Sequence, residues 1–114
     1  MHEYSIVQSL LDQCEEIAKK NDAKEIIKVV VKIGVMSGVE PNLLKTAFDT
    51  FKEGTMCEKC EYIQNIQKVK VRCFDCNAIS ELEKNEYACP KCQSVELDVI
   101  DGEDLMLMQL ELED

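Results

Sequence analysis

The sequence predicts an α+β fold: a small three-stranded sheet covered by two helices and interrupted, late in the chain, by a short inserted unit. Three observations carry this reading. Two segments place apolar residues at three- and four-residue intervals, three others are β-branched or alternate apolar with polar residues, and a group of cysteines precedes the last strand. The cysteines therefore interrupt the sheet domain rather than follow it.

At 114 residues the chain has room for one modest core and a small satellite. Its 46% hydrophobic and 32% charged content is ordinary for a globular protein. No apolar run reaches the roughly eighteen residues of a membrane span. The start, with His2 and Glu3, lacks the basic region and apolar stretch of a secretory signal, so a cytoplasmic protein with reduced thiols is expected. Net charge is −10, from 13 basic and 23 acidic residues, which argues against a phosphate-gripping face and hence against nucleic acid. Such a surface suits cations and protein partners; a homodimer is left open.

The first helix is expected over residues 3 to 20, where Tyr4, Val7, Leu10, Leu11, Cys14, Ile17 and Ala18 form one apolar stripe. Glu3 at its start and Lys19 and Lys20 at its end complement the helix dipole. Ile26 to Ile33 reads as a strand with Ile27, Val29, Val31 and Ile33 on one face and Lys28 and Lys32 on the other. Pro41 is placed to begin a second helix whose buried stripe is Leu43, Leu44, Ala47, Phe48 and Phe51, with Gly54 closing it. Residues 62 to 71 read as one unbroken strand. In the last strand, Leu105 to Leu112, Met106, Met108, Leu110 and Leu112 share a face and the methionines serve as core filler.

Between these strands lie Cys73-Phe-Asp-Cys76 and, twelve residues on, Cys89-Pro-Lys-Cys92. Two residues between thiols let a tight turn aim both sulfurs at one ion, and two such turns complete the tetrahedron of a structural zinc. A third unit, Cys57-Glu-Lys-Cys60, lies twelve residues before Cys73, so spacing alone permits the quartet 57/60/73/76 or 73/76/89/92. A strand between Cys60 and Cys73 would separate those pairs by up to about 40 Å. By contrast, residues 77 to 88 hold a turn candidate at Lys84-Asn85, and Asn77 after the second thiol tolerates the left-handed backbone of such turns. Cys73, Cys76, Cys89 and Cys92 are therefore the favoured zinc ligands, in a zinc-ribbon-like subdomain over 72–98 inserted into a domain formed by 1–71 and 99–114. Cys14, on the buried stripe, reads as a small core residue, and Cys57 and Cys60 as reduced thiols in a loop.

His2 is the only histidine. With Met1 retained before so bulky a residue, its α-amine, the His2 backbone nitrogen and the ring nitrogen form fused chelate rings in the plane that Ni²⁺ or Cu²⁺ prefers. Further ligands must come from elsewhere.

Met1-His2-Glu3-Tyr4-Ser5 opening a helix, Ile33-Gly34-Val35-Met36-Ser37-Gly38-Val39-Glu40-Pro41 before the second, and the two late cysteine pairs together make a chain that resembles the HypA/HybF family of nickel metallochaperones along essentially its whole length. The resemblance implies a non-enzymatic protein that delivers Ni²⁺ for maturation of [NiFe] hydrogenase, in some members also urease. It implies His2 as nickel ligand, with Met1, Glu3 and Glu40 contributing to the nickel site, and zinc on the four late cysteines. The partners it implies are a HypB-like GTPase, the hydrogenase precursor and urease accessory proteins. Cys57 and Cys60 fall outside the family pattern and leave a further metal-responsive or redox pair open. The competing class is an acidic zinc-ribbon adaptor that delivers no metal and leaves His2 without a role; a thiol–disulfide enzyme is disfavoured because a strand, not a helix, follows Cys60.

Overall fold

The computed structural model describes residues 3–83 and 85–114. In chain order the elements are α1 (Glu3–Lys20), β1 (Glu25–Gly34), α2 (Pro41–Phe51), β2 (Glu61–Gln67), β3 (Val69–Cys73), β4 (Ile79–Leu82), β5 (Leu97–Asp101) and β6 (Leu105–Glu113). They form two three-stranded sheets, ordered β2-β1-β6 and β4-β3-β5. The first is the expected sheet, with β1 central, parallel to β2 and antiparallel to β6. The second is antiparallel throughout and carries the four late cysteines at and beyond its strand ends.

The main core lies between the helices and one face of the first sheet. Val7, Leu10, Leu11, Cys14 and Ala18 of α1, Ile26, Val29, Val31 and Ile33 of β1, and Leu44 and Phe48 of α2 are all buried in it. Phe48 stacks on Tyr62 of β2 at 4.1 Å between ring centres, and Tyr4 meets Phe51 edge-on at 4.3 Å, so the aromatic residues tie α1 to α2 and α2 to the sheet.

Four expectations need correction, and each has a local cause. Ile26, not Ile27, faces the core, because an irregularity in the β1–β6 pairing between Ile26 and Lys28 shifts the alternation by one; Ile27 is left 43% exposed. A second irregularity opposes Val30 to Gln109 and Val31 to Leu107, making Met108 the extra residue of a bulge. Strict alternation therefore fails in β6: Leu105, Leu107, Leu110 and Leu112 pack on the core, while Met106 and Met108 stand on the open face, 46% and 52% exposed. On α2 the fully buried stripe narrows to Leu44 and Phe48, and Leu43 in its first turn is exposed. The strand expected over 62–71 breaks at Lys68, so that β2 ends in the first sheet and β3 begins in the second.

That break is where the two sheets cross, and close backbone contact makes it tight. A Cβ built on Gly34 would lie 2.3 Å from the carbonyl carbon of Gly102, and one on Gly102 (φ +104°) would lie 2.8 Å from the Lys68 carbonyl oxygen. Only glycine fits at either place. The Met36 N–H donates to the Gly102 carbonyl and the Gly34 N–H to that of Asp104, both at 2.9 Å, while Lys32 on β1 pairs with Asp101 on β5 at 2.7 Å. The loop leaving β1 is thus joined to the base of the cysteine-bearing sheet.

Candidate metal centre

The two late cysteine pairs adopt the same turn, and the hydrogen bonds show why this spacing suits metal. In the first, the Asn77 N–H donates to the Cys73 carbonyl at 2.9 Å and the Cys73 N–H to the Ala78 carbonyl at 2.9 Å. In the second, Gln93 N–H donates to Cys89 and Cys89 N–H to Ser94, both at 2.8 Å. Each turn needs a left-handed residue just after its second thiol: Asn77 has φ 63° and Gln93 φ 68°. Asn77 was legible as such a residue; Gln93 was not, since glutamine carries no turn signal of its own. Asn85, of the expected Lys84-Asn85 turn, also has φ 75°, whereas Lys84 lies outside the described residues.

These turns face one another. The Ser94 hydroxyl donates to Asp75, and the Phe74 N–H donates to the Glu96 carbonyl at 2.9 Å, fixing their separation. The sulfurs of Cys73, Cys76, Cys89 and Cys92 all lie within 4.8 Å of one another, with Cys73 to Cys92 at 3.5 Å and Cys76 to Cys89 at 3.6 Å. Zinc–sulfur bonds of about 2.3 Å in a tetrahedron require sulfur–sulfur edges of about 3.8 Å, so the donor set fits zinc in both number and spacing.

Electrostatics point the same way. The backbone N–H groups of Cys92 and Lys91 lower the Cys89 thiol to about 7, and those of Cys76 and Asp75 hold Cys73 below the usual thiol range. The Ser94 N–H favours the Cys92 thiolate, yet the crowding of Cys73, Cys76 and Cys89, together with burial, pushes it up to about 12. Backbone dipoles prepare thiolates here, and only a cation can accommodate all four at once.

Cys57 and Cys60 are elsewhere. They are buried in the main core beside Cys14, and their turn has a single 3.0 Å bond from the Cys60 N–H to the Cys57 carbonyl with no left-handed residue after it. Among the described residues, the late quartet is the one group whose thiol or other ligand atoms converge in this way. The expected loop position of the early pair is accordingly refined to a buried one.

Apart from the quartet, the structure joins two of the expected nickel-site residues. Glu3, in the first turn of α1, is buried, and its carboxylate accepts from the Glu40 backbone N–H at 3.4 Å. Glu40 in turn caps α2, accepting from the Leu43 N–H at 2.8 Å. This capping role was not anticipated, although an acid immediately before Pro41 is the position from which a side chain reaches the free amides of a helix start. Met1 and His2 lie outside the described residues.

An α+β domain whose chain passes through a four-thiol, zinc-ribbon-like insert defines a small metal-binding protein. Comparison with known proteins places it further. The family model described as "Hydrogenase/urease nickel incorporation, metallochaperone, hypA" matches residues 1–112. The chain is 55% identical over 113 residues to the hydrogenase maturation factor HypA of Aquifex aeolicus, covering 99% of this chain and 98% of that one. It is 45% identical over 111 residues to HypA of Campylobacter jejuni, covering 96% and 97%. Its structure matches the solution structure of the Ni metallochaperone HypA from Helicobacter pylori with a TM-score of 0.70 at 37% identity, covering 99% and 98% of the two chains. The chain belongs to the HypA family of hydrogenase and urease nickel-incorporation metallochaperones. No helix among the described residues is long and apolar enough to cross a membrane.

Proposed function

We propose that this protein binds Ni²⁺ through its N-terminus and delivers it for the maturation of [NiFe] hydrogenase, with Zn²⁺ held structurally by Cys73, Cys76, Cys89 and Cys92. The observation that carries the nickel reading is the bond between Glu3 and the Glu40 backbone. It holds the Glu3 carboxylate at the start of α2, against the backbone of the Glu40 that caps that helix. The α-amine of Met1, the backbone nitrogen and ring of His2 then supply the nitrogen ligands; Glu3 positions the segment and Glu40 contributes charge. Glu40 spends one carboxylate oxygen on the Leu43 amide, which orients the group and leaves the other oxygen for a cation. A labile site at a chain terminus suits transfer, since a recipient can replace ligands one at a time.

The recipient machinery is a HypB-like GTPase and the hydrogenase precursor, with urease accessory proteins as a second outlet, in the cytoplasm. The protein makes no bond in this scheme and is not an enzyme. A plain zinc adaptor has no observation that favours it.

Calorimetric nickel titration of tag-free, zinc-loaded protein should give about one Ni²⁺ per chain. His2→Ala should abolish that binding while keeping one zinc and the native far-UV circular dichroism, because a terminal side chain contributes little to folding. Affinity should also weaken as pH falls through about 6.5, where an imidazole gains the proton that competes with metal. An N-terminally extended or His2→Ala chain that bound one Ni²⁺ as tightly as the parent would overturn the assignment.

A further inference from the structure

Three cysteines take no part in either metal site. Cys14 is on α1, and Cys57 and Cys60 are on the segment between α2 and β2, yet all three meet in the main core. Cys14 and Cys57 are fully buried and Cys60 is 6% exposed. Their approach is enforced by neighbouring backbone: the Glu15 carboxylate accepts from the Met56 N–H at 2.9 Å, which places the residue after Cys14 against the residue before Cys57. Met56 is held from its other side as well, its carbonyl accepting from Ile26 at 3.1 Å, and the Cys57 N–H donates to the Thr55 hydroxyl at 3.1 Å.

We infer that Cys14 and Cys57 form a reversible disulfide modification site, a dithiol that a small peroxide oxidises to a covalent tie between α1 and the α2–β2 segment. A second metal centre is the alternative chemistry for three thiols, and geometry disfavours it. They do not converge as the late quartet does, where every sulfur lies within 4.8 Å of every other. The bond from the Met56 N–H to Glu15 instead brings the chain at Cys57, three residues before Cys60, against the turn of α1 that carries Cys14.

Cys14 is the nucleophile of the pair. Hydrogen bonding from Cys57 holds its thiol below the ordinary range despite burial, whereas Cys57 is pushed up to about 12, chiefly by its bond to Cys14, and Cys60 is raised further by Cys57 and by burial. The Cys14 thiolate attacks one oxygen of hydrogen peroxide; the O–O bond breaks, a sulfenic acid forms, and the departing hydroxide leaves as water with the thiol proton. The Cys57 sulfur then attacks the Cys14 sulfur, expelling hydroxide, which takes the Cys57 proton and leaves as a second water. Two thiols and one peroxide become one disulfide and two waters. A dithiol reductant reverses it by exchange.

Burial confines the reaction to an oxidant of about the size of water that enters when α1 loosens locally. The product closes the chain between residues 14 and 57 and so holds α1, together with the Glu3 end that it carries, against the rest of the core.

The test uses the full-length, zinc-loaded protein and its Cys60→Ala and Cys14→Ala variants, each exposed to a small excess of hydrogen peroxide, then alkylated in denaturant and mapped by mass spectrometry. The parent and Cys60→Ala proteins should lose two hydrogens, yield a cross-link between the Cys14 and Cys57 peptides, keep one zinc per chain, and melt at least about 5 °C higher until dithiothreitol is added. Cys14→Ala should give no such cross-link. A Cys57–Cys60 disulfide in the parent, or release of zinc from the quartet before any core disulfide forms, would overturn the inference. So would a Cys14–Cys57 bond that left the melting temperature unchanged, because the two thiols would then not already be held together in the native state.

Discussion

The two sheets have the same number of strands and very different interiors. The first encloses a core of aliphatic side chains and Phe48 from three elements, so it has enough apolar surface to hold itself together. Among the described residues, the second sheet and its turns bury the side chains of only Val71 and Leu82 besides Cys73 and Cys89. Some thirty residues with so little apolar burial do not fold on hydrophobic grounds. What distinguishes the regions is what can hold them together, apolar packing in one and, in the other, four converging thiols that could hold a metal, and cysteines appear in both in opposite capacities. Early cysteines are small core residues behind a helix; late ones have backbone amides aimed at their sulfurs and left-handed residues behind them.

The sharpest way to break the comparison is to remove one late thiol. Cys73→Ala or Cys89→Ala leaves three thiolates that cannot close the tetrahedron, and forfeits much of the roughly 10–16 kcal/mol with which structural zinc drives folding of small units. Native mass spectrometry should show zinc falling from one per chain to none. Amides of β3, β4 and β5 should exchange rapidly, while α1 and β1 keep their protection because their core lies outside the affected sheet. Zinc loss caused by Cys57→Ala and Cys60→Ala instead would mean that the other quartet holds the metal.

The converse experiment empties the apolar core. Phe48 is fully buried and stacked on Tyr62, so Phe48→Ala removes a large side chain from a place that cannot collapse around the void, at a cost of about 3–5 kcal/mol. A loss of that size lowers the melting temperature by ten degrees or more on the roughly 4–8 °C per kcal/mol scale of small domains. Zinc content below the transition should be unchanged. Coincident loss of metal and helix in this variant would show that the sheets unfold as one cooperative unit.

Much of this division is legible in the sequence. The periodicity of α1, the β-branched run of β1 and the spacing of the late cysteines place both regions, because each depends on residues near one another in the chain. What escapes is set by pairing across strands. The bulge at Met108 exists only because β6 lies antiparallel to β1, and nothing within Leu105 to Leu112 marks which residue is the extra one. The break at Lys68 likewise follows from the passage of Gly102 against its carbonyl, from thirty-four residues away. On the metal-site side, the late quartet could be chosen from turn chemistry, while the link from Glu3 to the Glu40 backbone joins residues thirty-seven apart and needs the packing of α1 on α2 to be seen.

The smallest effect is expected at the junction, where Lys32 of the apolar domain meets Asp101 of the cysteine-bearing sheet at 2.7 Å. Lys32 first, and then the Gly102 N–H, hold the Asp101 carboxyl below its usual range. A carboxyl with a lower value in the folded state than in the unfolded chain stabilises the fold above the unfolded value, and that contribution fades as pH drops through the folded one. The junction should therefore be intact at neutral pH and weaken only at or below the ordinary carboxylate range near 3.8. Both side chains are partly solvated, so screening by salt keeps the contribution modest. Asp101→Asn should shift the unfolding midpoint slightly at pH 7 and low salt and by less at high salt, with zinc stoichiometry unaltered. Glycine contacts and the bonds from Met36 and Gly34 remain to join the sheets when the ion pair is gone. If amide exchange of the Val35–Gly38 loop rose strongly in Asp101→Asn, the ion pair rather than the glycine crossing would be what couples the two interiors.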